Sequence, residues 1–251
     1  MPKVMIVTGG SRGIGAATAI LGAKAGYAVV VNYASNREAA DKVVAAIAAD
    51  GGSAIAVKGD VGVEADILSL FEAADELGTL TALVNNAGVV DAALPLAEMS
   101  AARIERMFRI NVTGSLLCAR EAVRRMATSR GGKGGGIVNV SSVAAKLGGP
   151  GQYLDYAASK GAIDSFTVGL AKEVIDEGIR VGAVRPGIID TDIHASGGQP
   201  DRVAELSPGL PMRRAGTAAE VAKAILWLLS DEASYSTGAI IDVSGARSIL
   251  P

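Results

Sequence analysis

The chain has 251 residues, of which 49% are hydrophobic and 20% are charged, and its formal net charge is −2. A chain of this length and composition can bury a large core, and we expect residues 1–251 to form one domain. The near-neutral charge excludes a broad basic surface of the kind that binds nucleic acid or anionic lipid.

Cys118 is the only cysteine, which excludes an internal disulfide and agrees with a reducing compartment. It stands on an apolar helical face, where packing is its expected role. Met1 leads directly into an apolar strand-like run without the zones of a signal peptide. No uncharged apolar stretch approaches the ~20 residues that span a bilayer. We therefore expect a cytoplasmic protein that binds neither membrane nor nucleic acid.

Short β-branched apolar runs alternate with amphipathic segments, a pattern typical of βαβ units around a parallel sheet. Seven strands are predicted, at residues 3–8, 28–33, 54–58, 82–85, 137–141, 180–184 and 240–243. Helical spacing is clearest at residues 38–49, 101–126, 153–175 and 218–229. Thr217 and Glu220 have the spacing of a capping box before the last helix. The sequence therefore predicts an α/β fold: a doubly wound Rossmann domain with helices on both faces of a seven-stranded parallel sheet.

The first predicted strand ends in a glycine-rich turn that continues into a helix of small residues. Gly9 permits a tight turn, and the run Gly13-Ile14-Gly15 lets backbone and helix approach a pyrophosphate, for which the helix amino end supplies N–H donors. The spacing differs from G-x-G-x-x-G and lacks the ending of a P-loop. Because tight turns also use glycine for conformational reasons, the turn alone does not establish a nucleotide site.

The residues after the second strand indicate which dinucleotide binds. Folds that prefer NAD usually place an acid ~20 residues after the glycines, and residues 30–37 contain none. Arg12 and Arg37 instead suit a 2′-phosphate, because guanidinium matches its charge and geometry. Polar neighbours expected at that phosphate are Ser11, Asn32 and Ser35. Asp60, followed by Val61, either faces the adenine or caps the next helix. NADP(H) is the preferred cofactor, and NAD(H) is the alternative.

A second set of motifs stands at the ends of later strands and in the following helices. It comprises Asn86-Ala87-Gly88, Asn111, Ser141-Ser142, Tyr156-Ala157-Ala158-Ser159-Lys160 and Arg185-Pro186-Gly187. With the glycine turn, and in this order, the set resembles the short-chain dehydrogenase/reductase family, notably its 3-oxoacyl-reductase and glucose-dehydrogenase-like members. The resemblance covers essentially the whole chain. It implies an enzyme that moves a hydride between a nicotinamide cofactor and a carbonyl or alcohol substrate.

The resemblance implies roles for individual side chains. Tyr156 is the acid in reduction and the base in oxidation, and Lys160, on the same helix face, lowers the phenol pKa together with the positive nicotinamide. Lys160 also binds the nicotinamide ribose. Ser142 holds the substrate oxygen; since strand side chains alternate, only one of Ser141 and Ser142 can face it, and we choose Ser142. Asn111 interrupts its helix to hold a water that connects Lys160 to solvent.

The loops around the expected nicotinamide complete the resemblance. Asn86-Ala87-Gly88 supports the cofactor side of the sheet, and Pro186-Gly187 opens a loop where the Ile189 backbone and the Thr191 hydroxyl meet the carboxamide and phosphate. Residues 188–211 are expected to form a mobile substrate lid. His194, within that lid, is assigned no role, and Tyr153 is expected to be a pocket wall.

Oligomeric state and the competing functions also follow from these motifs. Family members are often tetramers, so we expect a homotetramer or homodimer, with the apolar residues 225–229 and 249–251 as candidate contacts. No metal is expected. The alternative enzyme is an NAD-dependent sugar or polyol dehydrogenase. A dinucleotide-sensing regulatory protein has little need of the serine, tyrosine and lysine set, and a methyltransferase leaves the pairing of Tyr156 with Lys160 unexplained.

Overall fold

Seven parallel strands form the central sheet of this computed structural model, which describes residues 1–248. In chain order the strands are β1 (Lys3–Val7), β2 (Ala28–Tyr33), β3 (Ala54–Lys58), β4 (Thr79–Asn85), β5 (Gly135–Val140), β6 (Ile179–Pro186), β7 (Ile189–Asp190), β8 (Gly216–Thr217) and β9 (Ile240–Val243). The sheet order is β3-β2-β1-β4-β5-β6-β9, and β7 pairs with β8 in a separate two-stranded sheet. Strands β1 to β3 are added toward one edge of the sheet, and the later strands, from β4 onward, are added toward the other edge. Doubly wound folds place their ligands at such a switch point, which here lies between β1 and β4. The predicted fold class is confirmed.

The helices cover both faces of this sheet. They are α1 (Gly13–Lys24), α2 (Arg37–Ala49), α3 (Glu64–Leu77), α4 (Ala101–Phe108), α5 (Ser115–Met126), α6 (Ala144–Leu147), α7 (Leu154–Glu173), α8 (Ile193–Ser196), α9 (Arg202–Leu206) and α10 (Ala218–Leu229). Helices α3, α5 and α7 contribute to the core on one face, and α1, α2 and α10 to the core on the other. A π-helical turn, Arg109–Gly114, joins α4 to α5. The single helix predicted at residues 101–126 is therefore interrupted.

The strands are buried on both faces, which explains their uninterrupted apolar runs. In β1, Val4 and Ile6 pack into one core layer, while Met5 and Val7 pack into the other. Cys118 lies in the first of these layers, where burial raises its thiol pKa to about 12. The cysteine is therefore a packed, unreactive side chain, as expected.

Two helices, α3 and α10, add to what the sequence predicted. Helix α3 was not among the clear helical segments, although Ile67, Leu70, Phe71 and Ala74 form its buried stripe at helical spacing. The capping box before α10 is present: Thr217 Oγ1 accepts from the Glu220 amide at 3.2 Å, and the Thr217 amide donates to the Glu220 carboxylate at 2.8 Å. Both of these helix signals are local in the sequence.

The apolar segment at residues 225–229 belongs mainly to the core. Ile225, Leu228 and Leu229 are buried, whereas Trp227 is 38% exposed. The other candidate contact, residues 249–251, lies outside the described residues. Among residues 1–248, no helix has both the length and the apolar character needed to cross a membrane.

Candidate active site

Two adjoining cavities, each about 460 Å³, open at the carboxyl ends of the strands. The glycine-turn cavity lies beside the turn after β1 and the ends of β2 and β3, and Gly9, Ser11, Arg12, Gly13, Asn32, Ser35, Asp60, Val61 and Ala87 line it. The Tyr156 cavity lies at the ends of β5 and β6, and Ser142, Tyr153, Tyr156, Lys160, Pro186, Gly187 and Ile189 line it. Residues common to both include Ile14, Asn86, Gly88 and Thr191. The shared lining makes one continuous cleft.

The glycine turn has the shape of a phosphate cradle. Gly9 and Gly13 adopt φ angles of 60° and 53°, which are unfavourable for other residues. A Cβ on Gly15 would collide with the carbonyl oxygen of Gly9. Helix α1 begins here with no acidic side chain in its first turn, so no carboxylate of the helix itself offsets its N–H groups and positive dipole. The turn therefore fits the pyrophosphate of a dinucleotide.

The Asn86-Ala87 segment clamps this turn in place. Asn86 Nδ2 donates to the carbonyl oxygens of Thr8 at 2.8 Å and Gly9 at 3.0 Å. The main-chain amides of Asn86 and Ala87 both donate to Thr8 Oγ1 at 3.0 Å. The asparagine side chain thus fixes the ends of β1 and β4 against each other, at the point where the sheet changes winding direction.

The two arginines predicted to share a 2′-phosphate are separated in the structure. Arg12 lines the glycine-turn cavity, whereas Arg37 does not. The Arg37 Nε atom pairs instead with the Asp41 carboxylate at 3.0 Å, on the exposed side of α2. Arg106 and Arg109 line the cavity and were missed, because only the path of α4 and the π-helical turn brings them there.

The polar side chains at the ends of β2 and β3 mostly form hydrogen bonds with main-chain groups. Asn32 is 2% exposed, and its Oδ1 accepts from the Gly9 amide at 3.1 Å while its Nδ2 donates to the Gly59 oxygen at 2.9 Å. Asp60 Oδ1 accepts from the Gly62 amide at 2.8 Å. The N-cap of α3 is Val63, so Asp60 does not cap that helix. Asp60 lines the cavity instead.

The two adjacent serines after β5 have different environments. The Ser142 hydroxyl lies close enough to the Tyr156 phenol to lower its pKa, and it accepts from the Ala144 amide at 3.1 Å. Ser141 is buried, and its Oγ donates to the main-chain oxygen of Lys160 at 3.2 Å. Because the Ser141 hydroxyl is committed to the main chain, Ser142 is the serine beside Tyr156.

Lys160 lies deep in the site, 5% exposed, with Nζ 5.6 Å from the centre of the Tyr156 ring. Burial lowers the pKa of its amine to about 8, although the Asp164 carboxylate opposes this shift. Burial also raises the pKa of the Tyr156 phenol, and the nearby Ser142 hydroxyl offsets part of that increase. The expected lowering of the phenol pKa is therefore not produced by the protein alone; it would require the positive nicotinamide.

Asn111 lies within the π-helical turn Arg109–Gly114, which interrupts the helix at the predicted place. It is 1% exposed, its Oδ1 accepts from the Val89 amide at 2.8 Å, and its Nδ2 donates to Ser159 Oγ at 3.2 Å. Ser159 in turn donates to the Tyr156 carbonyl oxygen at 2.7 Å. Asn111 therefore ties the loop after β4 to the first turns of α7. The water expected at Asn111 stays a prediction.

Residues 188–211 form β7, α8 and α9 above the Tyr156 cavity. Thr191 packs against Gly13, where an added Cβ would lie 3.2 Å from its methyl group. His194 Nε2 hydrogen-bonds with the Ile189 carbonyl oxygen at 3.0 Å, and burial lowers its pKa. His194 is thus a half-buried cavity residue rather than a surface one. Tyr153 lines the cavity, as expected of a pocket wall.

Comparisons with known proteins agree with this geometry. The family model described as "Enoyl-(Acyl carrier protein) reductase" matches residues 9–246. The chain is 54% identical over 245 residues to "Uncharacterized oxidoreductase YgfF" of Escherichia coli, covering 97% of this chain and 99% of that protein. It is 39% identical over 246 residues to a "3-oxoacyl-[acyl-carrier-protein] reductase" of Synechocystis, covering 97% and 96%. A solved double mutant of a Serratia marcescens short-chain dehydrogenase/reductase superimposes with a TM-score of 0.90 at 32% identity, covering 98% of each chain.

Proposed function

The chain belongs to the short-chain dehydrogenase/reductase family of oxidoreductases, and on that premise we propose that it is an NADPH-dependent carbonyl reductase. Its substrate would be a ketone such as a 3-oxoacyl derivative or a sugar-like carbonyl. The observation that carries the proposal is the arrangement of Ser142, Tyr156 and Lys160 around one cavity that adjoins the glycine turn. A regulatory dinucleotide sensor would have no use for this arrangement.

Tyr156 transfers the proton in this proposal. The bound nicotinamide supplies the hydride for reduction or accepts it in oxidation. Tyr156 Oη donates its proton to the carbonyl oxygen during reduction, while the Ser142 hydroxyl holds that oxygen. Because burial raises the phenol pKa, Tyr156 is protonated at neutral pH and the proton is in position when the substrate binds.

Lys160 stabilises the phenolate that this transfer leaves. Its amine, with a pKa of about 8, is mostly protonated at neutral pH, and a cation near the ring favours the charged phenol. The hydrogen bond from Nζ to the Val140 oxygen fixes the amine beside the ring. Asn111 acts as a positioning residue, because it holds the Ser159 hydroxyl that contacts the Tyr156 backbone.

The dinucleotide would lie along the continuous cleft, with the pyrophosphate at the glycine turn. The residues proposed to line it are Gly9, Ser11, Arg12, Gly13, Ile14, Gly15, Asp60, Val61, Asn86, Ala87, Gly88, Gly187, Ile189 and Thr191. The preference for NADPH now depends on Arg12, because Arg37 pairs with Asp41 outside the cavity. Arg109 lines the same cavity, as does Arg106, which pairs with the Asp91 carboxylate at 3.5 Å.

Residues 188–211 are the proposed substrate lid, and a homo-oligomer is the proposed assembly. The lid contributes Ile193, His194 and Leu206 to the wall of the Tyr156 cavity. Exposed apolar side chains on α5 and α7, Leu116 and Val168, are candidate subunit contacts. Light scattering coupled to gel filtration would measure the oligomeric state directly.

The first experiment is calorimetric titration of the protein with NADPH and with NADH, repeated on Arg12→Ala and on Arg37→Ala as the matched control. We expect tighter NADPH binding, weakened roughly 10-fold or more by Arg12→Ala, because a charge-assisted contact to the 2′-phosphate is lost. NADH binding and the Arg37→Ala protein should change little. Equal or tighter binding of NADH would overturn the cofactor assignment and favour an NAD-dependent sugar or polyol dehydrogenase.

A second experiment tests the reaction itself. Tyr156→Phe should still bind NADPH but lose reduction of ketones by about 1000-fold or more, because the phenol proton is absent. Single-turnover oxidation of NADPH, followed by absorbance, measures this step. Undiminished turnover in this variant would show that another group supplies the proton.

A further inference from the structure

Three cationic side chains of the described residues line the Tyr156 cavity. Lys160, Arg202 and Arg247 line it, and among the described residues no Asp or Glu does. Lys160 is committed to the Val140 oxygen at the floor of the site. His194 adds no charge at neutral pH, because burial lowers its pKa. The two arginines therefore provide the positive charge in this cavity that no carboxylate of residues 1–248 balances.

Arg247 is held in the cavity wall by the turn after β9. Gly245 and Ala246 both adopt left-handed conformations, with φ of 57° and 69°. Ser248, which is completely buried, donates to the Asp242 carboxylate at 2.8 Å and anchors the segment on the other side of Arg247. Within residues 1–248, the half-buried Arg247 guanidinium has neither a hydrogen-bond acceptor nor an ion-pair partner.

Arg202 reaches the same cavity from α9 and is held by neutral groups. Its Nη1 donates to the side-chain oxygens of Gln152, at 3.2 Å, and Gln199. Its guanidinium carbon lies 5.2 Å from the centre of the Tyr153 ring. No carboxylate within the described part of the chain pairs with it. These contacts orient the guanidinium but leave its positive charge unneutralised.

The two arginines also affect each other electrostatically. The pKa of Arg247 is lowered, first by burial and then by the positive charge of Arg202. Like charges in a partly desolvated cavity raise the free energy of the protein unless an anion lies near them. An oxyanion bound there would remove this repulsion and satisfy guanidinium donors in the geometry that carboxylates and phosphates match.

We propose that the substrate is an anionic carbonyl compound, whose carboxylate or phosphate binds Arg202 and Arg247 while its ketone lies at Ser142 and Tyr156. This inference builds on the proposed reductase function. The pyrophosphate of the cofactor has its own place at the glycine turn, in the other cavity, and does not account for these arginines. The wall of the same cavity also includes the apolar side chains of Val143, Ala144, Leu147 and Leu206, which suit a short carbon chain.

Paired substrates test the inference. Each member of a series of straight-chain keto acids is compared with its methyl ester, and a keto phosphate with the corresponding neutral keto alcohol, in NADPH-dependent reduction. We expect at least one anion to exceed its neutral partner in kcat/KM by about 10-fold or more, and either Arg202→Met or Arg247→Met to lower that value about 10- to 100-fold. The neutral partner should be unaffected by either variant.

Arg130→Met is the matched control, because Arg130 is exposed and lines neither cavity. It should leave both substrates of a pair unchanged. Neutral ketones reduced as well as their anionic partners would overturn the inference while leaving the reductase function intact. Equal loss for both partners in the arginine variants would also overturn it, because the arginines would then serve the structure rather than the anion.

A binding measurement separates this inference from the reaction. The melting temperature is followed with butyrate, butyl phosphate and butanol at matched ionic strength. A rise with butyrate or butyl phosphate, absent with butanol and absent in Arg247→Met, would support the anion site and identify which oxyanion it takes. No rise with either anion would overturn it. If no ketone is reduced, the proposed function fails, and the melting data still decide whether the cavity binds anions.

Discussion

The Nζ atom of Lys160 donates a 2.7 Å hydrogen bond to the main-chain oxygen of Val140, which fixes the amine at the carboxyl end of β5. The lysine is buried there, and its pKa falls from 10.5 to about 8. Keeping this amine charged at neutral pH costs the folded protein roughly 3 kcal/mol, even with the hydrogen bond to the Val140 oxygen in place. The site is therefore less stable than an apolar replacement would be.

Lys160→Met should raise the free energy of unfolding at pH 7 by about 1–2 kcal/mol while abolishing ketone reduction. The unfolded lysine holds its proton up to its pKa of 10.5, but the folded one releases it near 8. The free-energy cost of burying the charged amine is thus complete below pH 8 and disappears as pH rises towards 10.5. The stability gained by Lys160→Met should therefore shrink between these two pH values. Urea unfolding at several pH values measures this, with exposed Lys42→Met as the control. A large loss of stability at pH 7 would contradict the expectation.

Asp164 controls the charge of Lys160 from one helical turn away. Its carboxylate pairs with Arg185 at 2.9 Å and raises the pKa of Lys160. Asp164→Asn should therefore lower the Lys160 pKa below about 8, and the loss of kcat/KM at alkaline pH should begin at lower pH. Carbon-13 NMR of the lysine Cε resonances gives the pKa in the free protein. Exposed Asp41→Asn serves as the control, and an unchanged Lys160 titration in Asp164→Asn would refute the coupling.

The adjacent serines provide a matched pair of variants. Ser142→Ala should lower kcat about 100-fold or more, because the substrate oxygen loses a donor beside Tyr156. Ser141→Ala removes only the bond to the Lys160 main-chain oxygen, so it should keep most of its turnover and lose about 1 kcal/mol of stability. Steady-state kinetics and urea unfolding of both proteins measure the contrast. The reverse pattern would assign substrate contact to Ser141.

Ala246 adopts a φ of 69° in the turn before Arg247. The left-handed region costs a residue with a Cβ roughly 1 kcal/mol relative to glycine. Ala246→Gly should therefore raise the free energy of unfolding by up to about 0.5 kcal/mol, after the greater flexibility of the unfolded chain is included. Denaturant titration checks the change. Ala246→Val should move stability in the opposite direction, and stabilisation by valine would contradict the conformational argument.

Much of the fold was accessible from sequence because its signals are local. Strands buried on both faces read as apolar runs, and the capping box at Thr217 and Glu220 marks the start of α10. Helix α3 carries an equally local signal, because its buried residues Ile67, Leu70, Phe71 and Ala74 recur at helical spacing. The pairing of Arg37 with Asp41 was also readable, since the two are spaced i and i+4 on one helix.

By itself, the sequence determined the α/β architecture, the glycine turn and the order of the Ser142, Tyr156 and Lys160 motifs, because each depends on residues close together in the chain. Only the tertiary structure decided which serine faces Tyr156, which arginines enter each cavity and how burial shifts the pKa values of Tyr156 and Lys160. Those properties depend on desolvation and on charges brought together from distant segments, as with Arg202 and Arg247. The spacing of residues along the chain does not predict which distant side chains come close together or how deeply they are buried.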